Sequence, residues 1–308
     1  MSRSLFLPPE VGANLRRPPR GPLKRVNPLV LFSADALRRA WLKVKQAGGG
    51  PGVDGVSIAR FEADLDANLR DLRRDLLRKR YRPQKVKRLL APKRGQGLRP
   101  IALWTLRDKV VQRLVADCIA PYFEREFLDC SYGFRPGLGV KEAVAAVVNH
   151  RAANRRWVAD IDIKDCFDSL DPKLMARLVR RQVKARPILA LIEAWLKAEV
   201  FNDLSGPHTP AGVSQGSIIS PLLTNIYLHQ VDVRLTRQKF HLVRYADDMV
   251  ICCRRKQDAQ QAMRAVAAAL NQVYLSLNPH KSRVVHFDQG FQFLGVFFLR
   301  NEYFFLKQ

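Results

Sequence analysis

The sequence predicts a mixed fold of the α+β or α/β kind, in which strands and helices pack in layers. Apolar residues at helical spacing dominate the first half of the chain, whereas the second half alternates short strand-like stretches with helices. Hydrophobic residues make up 47% of the 308 residues, which is enough to bury a sizeable core and excludes wholesale disorder.

The charge of the chain indicates a polyanionic partner. Lys and Arg number 53 against 28 Asp and Glu, which gives a formal net charge of +25. Such an excess favours nucleic acid or an anionic membrane surface. No run of about 18 apolar residues is present to span a bilayer. The five cysteines form no Cys-x-x-Cys pair, which argues against a zinc site or a disulfide scaffold and favours the cytoplasm. We therefore expect a nucleic-acid partner and no membrane.

In the first half, composition and apolar spacing predict a basic arm followed mainly by helices. Ser33 is a suitable N-cap for the first long helix. The predicted elements are a flexible basic arm at residues 1–32, helices at 33–45 and 57–79 around a glycine-rich loop at 48–55, strands at 85–91 and 99–102, and helices at 107–127 and 138–153.

In the second half, strand-like alternation appears first at residues 157–163, where Asp162 lies near the strand end. Two apolar strands then flank Asp247 and Asp248, which predicts a hairpin with two acids at its tip. The predicted elements are strands at 157–163, 242–245, 249–253, 284–286 and 293–299, helices at 172–201 (kinked near Pro187) and 220–238, and an amphipathic helix that contains Met263, Val266, Leu270 and Val273.

Three carboxylates, those of Asp162, Asp247 and Asp248, form the candidate catalytic set. Acids at an apolar strand end are costly unless a positive charge pairs with them, and adjacent acids repel each other. A shared divalent cation explains such a group, and oxygen ligands without nearby His or Cys favour Mg²⁺. Taken singly, an acid is more often a turn residue or a surface charge, and the adjacent pair Asp247 and Asp248 alone does not decide between that reading and a metal site.

The sequence around these acids contains several further motifs. The relevant blocks are residues 50–55, 92–100, 131–136, 162–168, 212–225, 244–248, 277–281 and 293–295. Among them, Arg-Tyr-Ala-Asp-Asp at 244–248 and Asp-Ile-Lys-Asp-Cys-Phe-Asp at 162–168 contain the three acids. In this order the blocks resemble the reverse transcriptases, specifically the group II intron-encoded and group II-like bacterial branch. The resemblance extends over roughly residues 35–300.

The resemblance implies an α+β fold of the right-hand polymerase kind, with fingers, an antiparallel palm sheet packed on helices, and a thumb that is reduced or absent. The expected parts are a basic flexible arm at 1–32, an N-terminal extension of the fingers at 33–85, fingers at 86–156, a palm at 157–300 and a C-terminal tail at 301–308, with the reverse transcriptase domain at about 75–298.

The resemblance also implies roles for individual residues. Asp162 and Asp247 would bridge two Mg²⁺ ions, for which Mn²⁺ could substitute, with the Ile163 carbonyl as a further ligand. Asp248 would complete the negative site. Asp160, on the same strand face as Asp162, is expected to pair with an Arg or Lys rather than bind metal.

The expected nucleotide-binding residues are Lys93, Arg99, Phe167, Gln215, Gly216 and Lys281. Lys93 and Arg99 would hold the triphosphate, and Gly216 would allow close backbone approach. Phe167 would exclude a 2′-hydroxyl, and the alternative is that its ring packs in the core. Lys281 would act as a general acid near pyrophosphate, and the alternative is that it is an ordinary solvated lysine.

Arg135 and Tyr245 are expected to contact the template or primer, although Arg135 could instead stabilise the fingers. The function implied is RNA-directed DNA synthesis from dNTPs on an RNA template with a DNA or RNA primer, with a structured RNA or a protein supplying the thumb function. Phage defence or CRISPR spacer acquisition is the expected setting. An RNA-binding or splicing-assistance protein without polymerase activity is the alternative.

Overall fold

The computed structural model describes residues 21–92, 98–198, 200–201 and 216–306. Its helices are α1 Pro28–Leu31, α2 Ala34–Ala47, α3 Ile58–Ala63, α4 Leu65–Leu77, α5 Leu106–Glu124, α6 Val140–Ala152, α7 Cys166–Ser169, α8 Pro172–Gln182, α9 Arg186–Leu196, α10 Ser220–Arg237 and α11 Lys256–Asn271. Its strands are β1 Val86–Pro92, β2 Leu98–Leu103, β3 Trp157–Ile161, β4 Val200–Phe201, β5 Leu242–Tyr245, β6 Asp248–Cys253, β7 Arg283–His286, β8 Phe291–Phe293, β9 Val296–Leu299 and β10 Glu302–Phe305.

The chain divides into two compact units. The first comprises residues 1–125 and 175–223, and the second comprises residues 126–174 and 224–308. The boundaries expected for arm, fingers and palm stay a prediction, because these units are defined by compactness alone and each combines two separate stretches of the chain.

The first unit is mainly helical. Ser33 caps α2 as predicted, because its hydroxyl accepts the Ala36 N–H. The helix packs on α4 and α5, with Trp41 fully buried and its ring 4.6 Å from that of Phe61. The two strands predicted at 85–91 and 99–102 are β1 and β2, which pair antiparallel, and β4 joins β1 in parallel. Residues 93–97, between these two strands, lie outside the described residues.

Two predicted helices are each split in two. The helix expected at 57–79 breaks at Asp64. Near this break, the Asn68 side-chain amide donates a hydrogen bond of 2.9 Å to the Phe61 carbonyl, which in a continuous helix would accept a backbone N–H. The helix expected at 172–201 is α8 followed by α9. Pro187 lies in the first turn of α9, where it starts a new helix rather than kinking an old one.

The predicted flexible arm at 1–32 needs a correction over its last residues. Residues 1–20 lie outside the described part, but α1 follows at Pro28–Leu31 with Asn27 as its cap. Leu23 is buried and exchanges backbone hydrogen bonds of 2.6 and 2.7 Å with Gln182 and Lys184. This stretch is therefore packed structure, held by an apolar side chain that the basic composition conceals.

The second unit contains the sheet that carries the three acids. Its strand order is β5-β6-β3-β7, and all pairs are antiparallel. Helix α11 packs on β3, β6 and β7, and α6 packs on β5 and β6. The core beneath the sheet is apolar and includes Val158, Val243 and Val250, all fully buried. The predicted hairpin at 242–253 and the amphipathic helix that contains Val266 and Leu270 are confirmed.

The end of the chain differs from the prediction. The single strand expected at 293–299 is a hairpin of β8 and β9, which turns at Leu294 and Gly295 with φ values of 53° and 74°. Positive φ at both central residues is typical of the tight turns that join antiparallel strands. The expected tail at 301–308 contains β10, which pairs with β9. In the part of the chain that the structure describes, no helix is long and apolar enough to cross a membrane.

Candidate active site

The register of the second unit's sheet brings the three predicted acids together. Ile161, the last residue of β3, lies opposite Met249 of β6. The next position along β3 is therefore Asp162, and the next position back along β6 is Asp248. Asp247 lies in the two-residue turn that joins β5 to β6. A strand end and a hairpin tip thus meet at one edge of the sheet, as the sequence predicts.

The backbone of Asp162 is clamped by the segment that follows α11. Its carbonyl accepts hydrogen bonds from the Asn278 N–H at 2.8 Å and the Ser282 hydroxyl at 3.2 Å. Its N–H lies 3.1 Å from the Ser282 hydroxyl. Ile163, buried beside it, forms a β-bridge with Leu277. The residues at 277–282 therefore fix the direction in which the Asp162 carboxylate leaves the sheet.

The same segment brings a positive charge to the acids. The Lys281 ammonium lies 3.5 Å from a carboxylate oxygen of Asp162, and more than half of the Lys281 side chain is exposed. A lysine so placed is close to the acids yet free to move toward a phosphate. Lys281 is thus an expected nucleotide-binding residue that forms an ion pair with an expected catalytic acid.

The pKa values of Asp247 and Asp248 are raised, as expected for buried carboxylates close to one another. Burial and then the Asp162 charge raise the pKa of Asp247. The pKa of Asp248 rises to about 7, through desolvation first and then the charges of Asp247, Asp162 and Asp160, although the side chain still opens to solvent. Added negative charge is therefore unfavourable here, and a cation would relieve it.

Asp160 has a partner of its own. Its carboxylate lies 3.3 Å from the Arg283 guanidinium, across the β3–β7 pair. Burial raises the pKa of Asp160, and Arg283 opposes that rise. This agrees with the expectation that Asp160 pairs with a basic residue.

Arg244 supports the acidic turn from inside the protein. Its side chain is fully buried and donates hydrogen bonds of 2.6 and 2.7 Å to the two carboxylate oxygens of Asp232. It also donates to the Ala246 carbonyl in the turn (2.8 Å), the Asn225 amide oxygen (2.9 Å) and the Ser131 hydroxyl (2.7 Å). The guanidinium is thereby saturated, and the residue next to Asp247 is tied to helix α10.

The sequence analysis did not predict this role for Arg244. An arginine within the apolar strand Leu242–Tyr245 and an aspartate within the largely apolar helix α10 are the signals that could have found it, since each is costly to bury alone. What the sequence conceals is that the two face each other.

A second support comes from residues 130–133. This segment runs parallel to β5, where Tyr132 donates its N–H to the Arg244 carbonyl and Arg244 donates its own to the Cys130 carbonyl, both at 2.8 Å. The Asn225 amide binds the Gly133 carbonyl at 2.8 Å. A Cβ added at Gly133 would lie 2.5 Å from the Ala246 nitrogen, so only glycine fits against the turn.

The two residues expected at the template or primer differ in environment. The Arg135 guanidinium donates to the carbonyls of Leu128 (2.8 Å) and Ser131 (2.7 Å), so it holds the loop that supports the turn. Tyr245 is half-buried, and its ring centroid lies 6.0 Å from that of the exposed Phe134. A template contact by either residue stays a prediction.

Phe167 lies in the short helix α7, directly after Asp165 and Cys166. Asp165 adopts the left-handed conformation with φ 42°, which is uncommon for a residue other than glycine. Burial, followed by the charge of Asp247, raises the pKa of the Cys166 thiol in α7. Phe167 itself is half-buried, as a ring exposed to a substrate would be.

The remaining nucleotide-binding predictions fall in the first unit. Gly216 has φ +100°, and a Cβ there would lie 2.6 Å from the Ala102 carbonyl of β2. Arg99 lies in β2, paired with Ala91 of β1. Lys93 and Gln215 lie outside the described residues. Their expected contacts with a nucleotide stay predictions.

The donor set at the acidic edge fits a hard divalent cation. Its side-chain donors are carboxylate oxygens, which Mg²⁺ prefers. Within the described residues, no three acidic, His or Cys side chains converge closely enough to enclose an ion. Mg²⁺ does not need such a cage, because it usually keeps water and takes one or two carboxylates together with substrate phosphates.

Comparison with known proteins identifies the family to which the chain belongs. The family described as reverse transcriptase (RNA-dependent DNA polymerase) matches residues 91–298. Protein YkfC of Escherichia coli K12 is 30% identical over 284 residues, covering 80% of this chain and 74% of its own length. Group II intron-encoded protein LtrA of Lactococcus lactis subsp. cremoris is 33% identical over 171 residues, covering 55% of this chain but 28% of its own length.

A solved partial Cas6-RT-Cas1–Cas2 complex aligns with a TM-score of 0.48 at 22% identity, over 79% of this chain and 41% of the other. That likeness is too distant to assign a partner. The family match spans most of the chain and includes Asp162, Asp247 and Asp248. The similarity to YkfC and LtrA fits the resemblance to the group II-like branch. The chain therefore belongs to the reverse transcriptase family.

Proposed function

We propose that the edge formed by Asp162, Asp247 and Asp248 is the catalytic centre at which this chain extends a primer with deoxynucleotides on an RNA template. The observation that carries the proposal is the register that sets the end of β3 beside the β5–β6 turn. Three acids from two separate stretches of chain lie at this edge, supported from inside by the saturated Arg244.

The primer 3′-hydroxyl loses its proton to water, its oxygen bonds to the α-phosphorus of a dNTP, and the bond between the α-phosphorus and the bridging oxygen of the β-phosphate breaks, so pyrophosphate leaves. Two Mg²⁺ ions, for which Mn²⁺ could substitute, would supply Lewis-acid stabilisation of the attacking and leaving oxygens. Asp162 and Asp247 would hold these ions together with the Ile163 carbonyl, and Asp248 would add to the negative potential. Lys281, 3.5 Å from Asp162, is placed to give a proton to the leaving pyrophosphate.

The direct test is primer extension by the purified chain on an RNA template with a DNA primer, dNTPs and Mg²⁺. Extension that depends on the template and is lost in the Asp247→Ala, Asp248→Ala double variant supports the proposal. Tight RNA binding without extension by either protein overturns it, and favours an RNA-binding or splicing-assistance role.

Phe167 is proposed to select deoxynucleotides by excluding the 2′-hydroxyl. We expect Phe167→Val to raise the ratio of ribonucleotide to deoxynucleotide incorporation about 10- to 100-fold, the range for shape changes in an apolar pocket. Single-nucleotide incorporation with dNTP and rNTP separately measures the ratio. If both substrates slow equally, Phe167 is a packing residue instead.

We also infer a cytoplasmic setting, which the five free cysteines support, because they are typical of a reducing compartment. Phage defence, CRISPR spacer acquisition and a partner that supplies the thumb function stay predictions. Phage plaque counts on cells with the intact gene and with the Asp247→Ala gene would test the first of these. Equal counts would count against it.

A further inference from the structure

A second charged site lies at the opposite end of β6. A cavity of about 610 Å³ opens there, between the end of β6, the turn after α10 and the start of α11. Its volume falls in the range of about 300–1,000 Å³ that is common for ligand clefts. Cys253, which lines it, is five residues along the strand from Asp248, or about 16 Å at the usual rise. The cavity is thus separate from the acidic edge.

The side chains that line the cavity are strongly basic. Arg155, Lys239 and Arg254 contribute three cations, and His241 lies among them. The single lining acid, Asp258, is already bound by Arg255 through two hydrogen bonds of 2.8 and 3.1 Å. Among the described residues, no carboxylate forms an ion pair with any of the three cations. The cavity therefore presents uncompensated positive charge.

The histidines beside the cavity respond to this charge. Burial, followed by the charges of Arg155 and Arg254, lowers the pKa of His241. Burial, His241 and Arg155 lower the pKa of His150 to about 4. Burial is thus the main reason that both rings stay neutral, and the neighbouring positive charges, which an anion would offset, act in the same direction.

Lys239 adds an independent observation. It follows the end of α10 in the left-handed conformation with φ 62°, where glycine is the usual residue. Lys239 therefore places a long cationic side chain at a position where glycine would be less strained. Backbone strain of this kind is found at ligand-binding sites.

We propose that this cavity binds the phosphodiester backbone of single-stranded RNA, as a contact separate from the catalytic edge. Arg155, Lys239 and Arg254 bind phosphate oxygens, and the Phe240 ring and the Gln261 amide that also line the cavity can contact the attached nucleoside. The choice of RNA rests on the proposed function, whereas the choice of a phosphate anion rests on the cavity itself.

The test is binding of a fluorescently labelled single-stranded RNA over a series of KCl concentrations, measured without dNTPs so that it does not depend on catalysis. Lys239→Gly and Arg254→Gln are compared with Arg264→Gln. Arg264 is an exposed arginine of α11 outside the cavity, so it controls for the loss of one charge from a highly basic chain.

We expect both cavity variants to weaken binding, and each to reduce the slope of log affinity against log salt by about 0.7, the value for one lost phosphate contact on a single strand. The Arg264 variant should keep the wild-type slope. Lys239→Gly should also unfold at the wild-type temperature or above it, because glycine relieves the strained conformation. That combination of a stable fold and weaker binding separates a lost contact from a damaged protein.

Two results would overturn the proposal. Equal losses in all three variants would mean that the cations act through net charge alone. Unchanged RNA binding in the cavity variants, with binding of an acidic peptide lost, would assign the cavity to a protein partner. Either result leaves the primer-extension test of the catalytic edge unaffected, so the two proposals fail separately.

Discussion

The two ends of strand β6 have opposite character. At its start, Asp248 and Asp247 form a negative edge whose supporting groups are buried and fully hydrogen-bonded. At its end, Arg254 and its neighbours form an open cavity with positive charge. The difference shows how one strand can serve two tasks. Chemistry needs acids held in a fixed geometry, whereas binding of a flexible polyanion needs cations that remain free to pair.

The largest expected effect is on catalysis at the negative end. Asp247→Asn keeps the size and shape of the side chain but removes its charge, and we expect single-nucleotide incorporation to slow by at least about 10²-fold at saturating RNA. RNA affinity should stay at the wild-type value. A variant that retains the wild-type rate would remove Asp247 from the catalytic centre.

The buried pair behind the turn should dominate stability. Asp232→Asn leaves the Arg244 charge buried without its partner, and we expect the free energy of unfolding to fall by about 3–5 kcal/mol. Urea denaturation at pH 7 measures this loss. The matched control is Asp258→Asn, which breaks the exposed pair with Arg255 and should leave stability unchanged.

A double variant separates stability from positioning. Arg244→Met with Asp232→Leu removes both buried charges, so it should recover most of the stability that Asp232→Asn loses. Incorporation should remain slow, because the Ala246 carbonyl then lacks its donor. Recovery of both stability and rate would show that Arg244 does not position the turn.

A smaller loss of stability is expected when a side chain is added at Gly133, where the backbone packs closely against the turn at Ala246. Gly133→Ala places a Cβ 2.5 Å from the Ala246 nitrogen, which should cost about 1–3 kcal/mol as the backbone shifts. Gly139→Ala is the control, since its Cβ would meet only the flexible end of Glu142 at 3.3 Å. Equal thermal shifts in both variants would contradict the close packing of residues 130–133 on the turn.

At the positive end, the expected effect is on pH dependence. The pKa of His150 in the folded protein is about 4, below its ordinary 6.5, so the unfolded chain takes up the proton first on acidification. His150 therefore favours the fold above pH 6.5, and this contribution is lost as the pH falls toward 4. Wild-type protein should lose stability over this window more steeply than His150→Gln. Parallel curves would contradict the lowered pKa of His150.

The features that the sequence predicts correctly are those with a local signal. The alternation of residues 157–163 and the apolar strands around Asp247 specify both the strands and the edge where the acids meet. The close support of that edge has no such signal. Arg244 and Asp232 are 12 residues apart in different elements, and Ser131 is 113 residues from Arg244, so their contact appears only when the chain is folded.

Errors in the predicted elements arose where a long apolar pattern crosses a local break. Apolar residues continue at helical spacing across Asp64, yet the Asn68 amide competes for the backbone there. Apolar residues also continue across Leu294 and Gly295, yet positive φ at both turns the chain back. The cavity could not be predicted, because Arg155, Lys239 and Arg254 come from three separate stretches.

The most direct test of the contrast between the two ends is single-turnover incorporation of one dNTP by Asp247→Asn and Lys239→Gly, over increasing concentrations of primed RNA. The first variant should reach a far lower maximal rate with the wild-type half-saturating concentration. The second should reach the wild-type maximal rate at a higher half-saturating concentration. A normal maximal rate in Asp247→Asn would contradict the assignment of the catalytic edge.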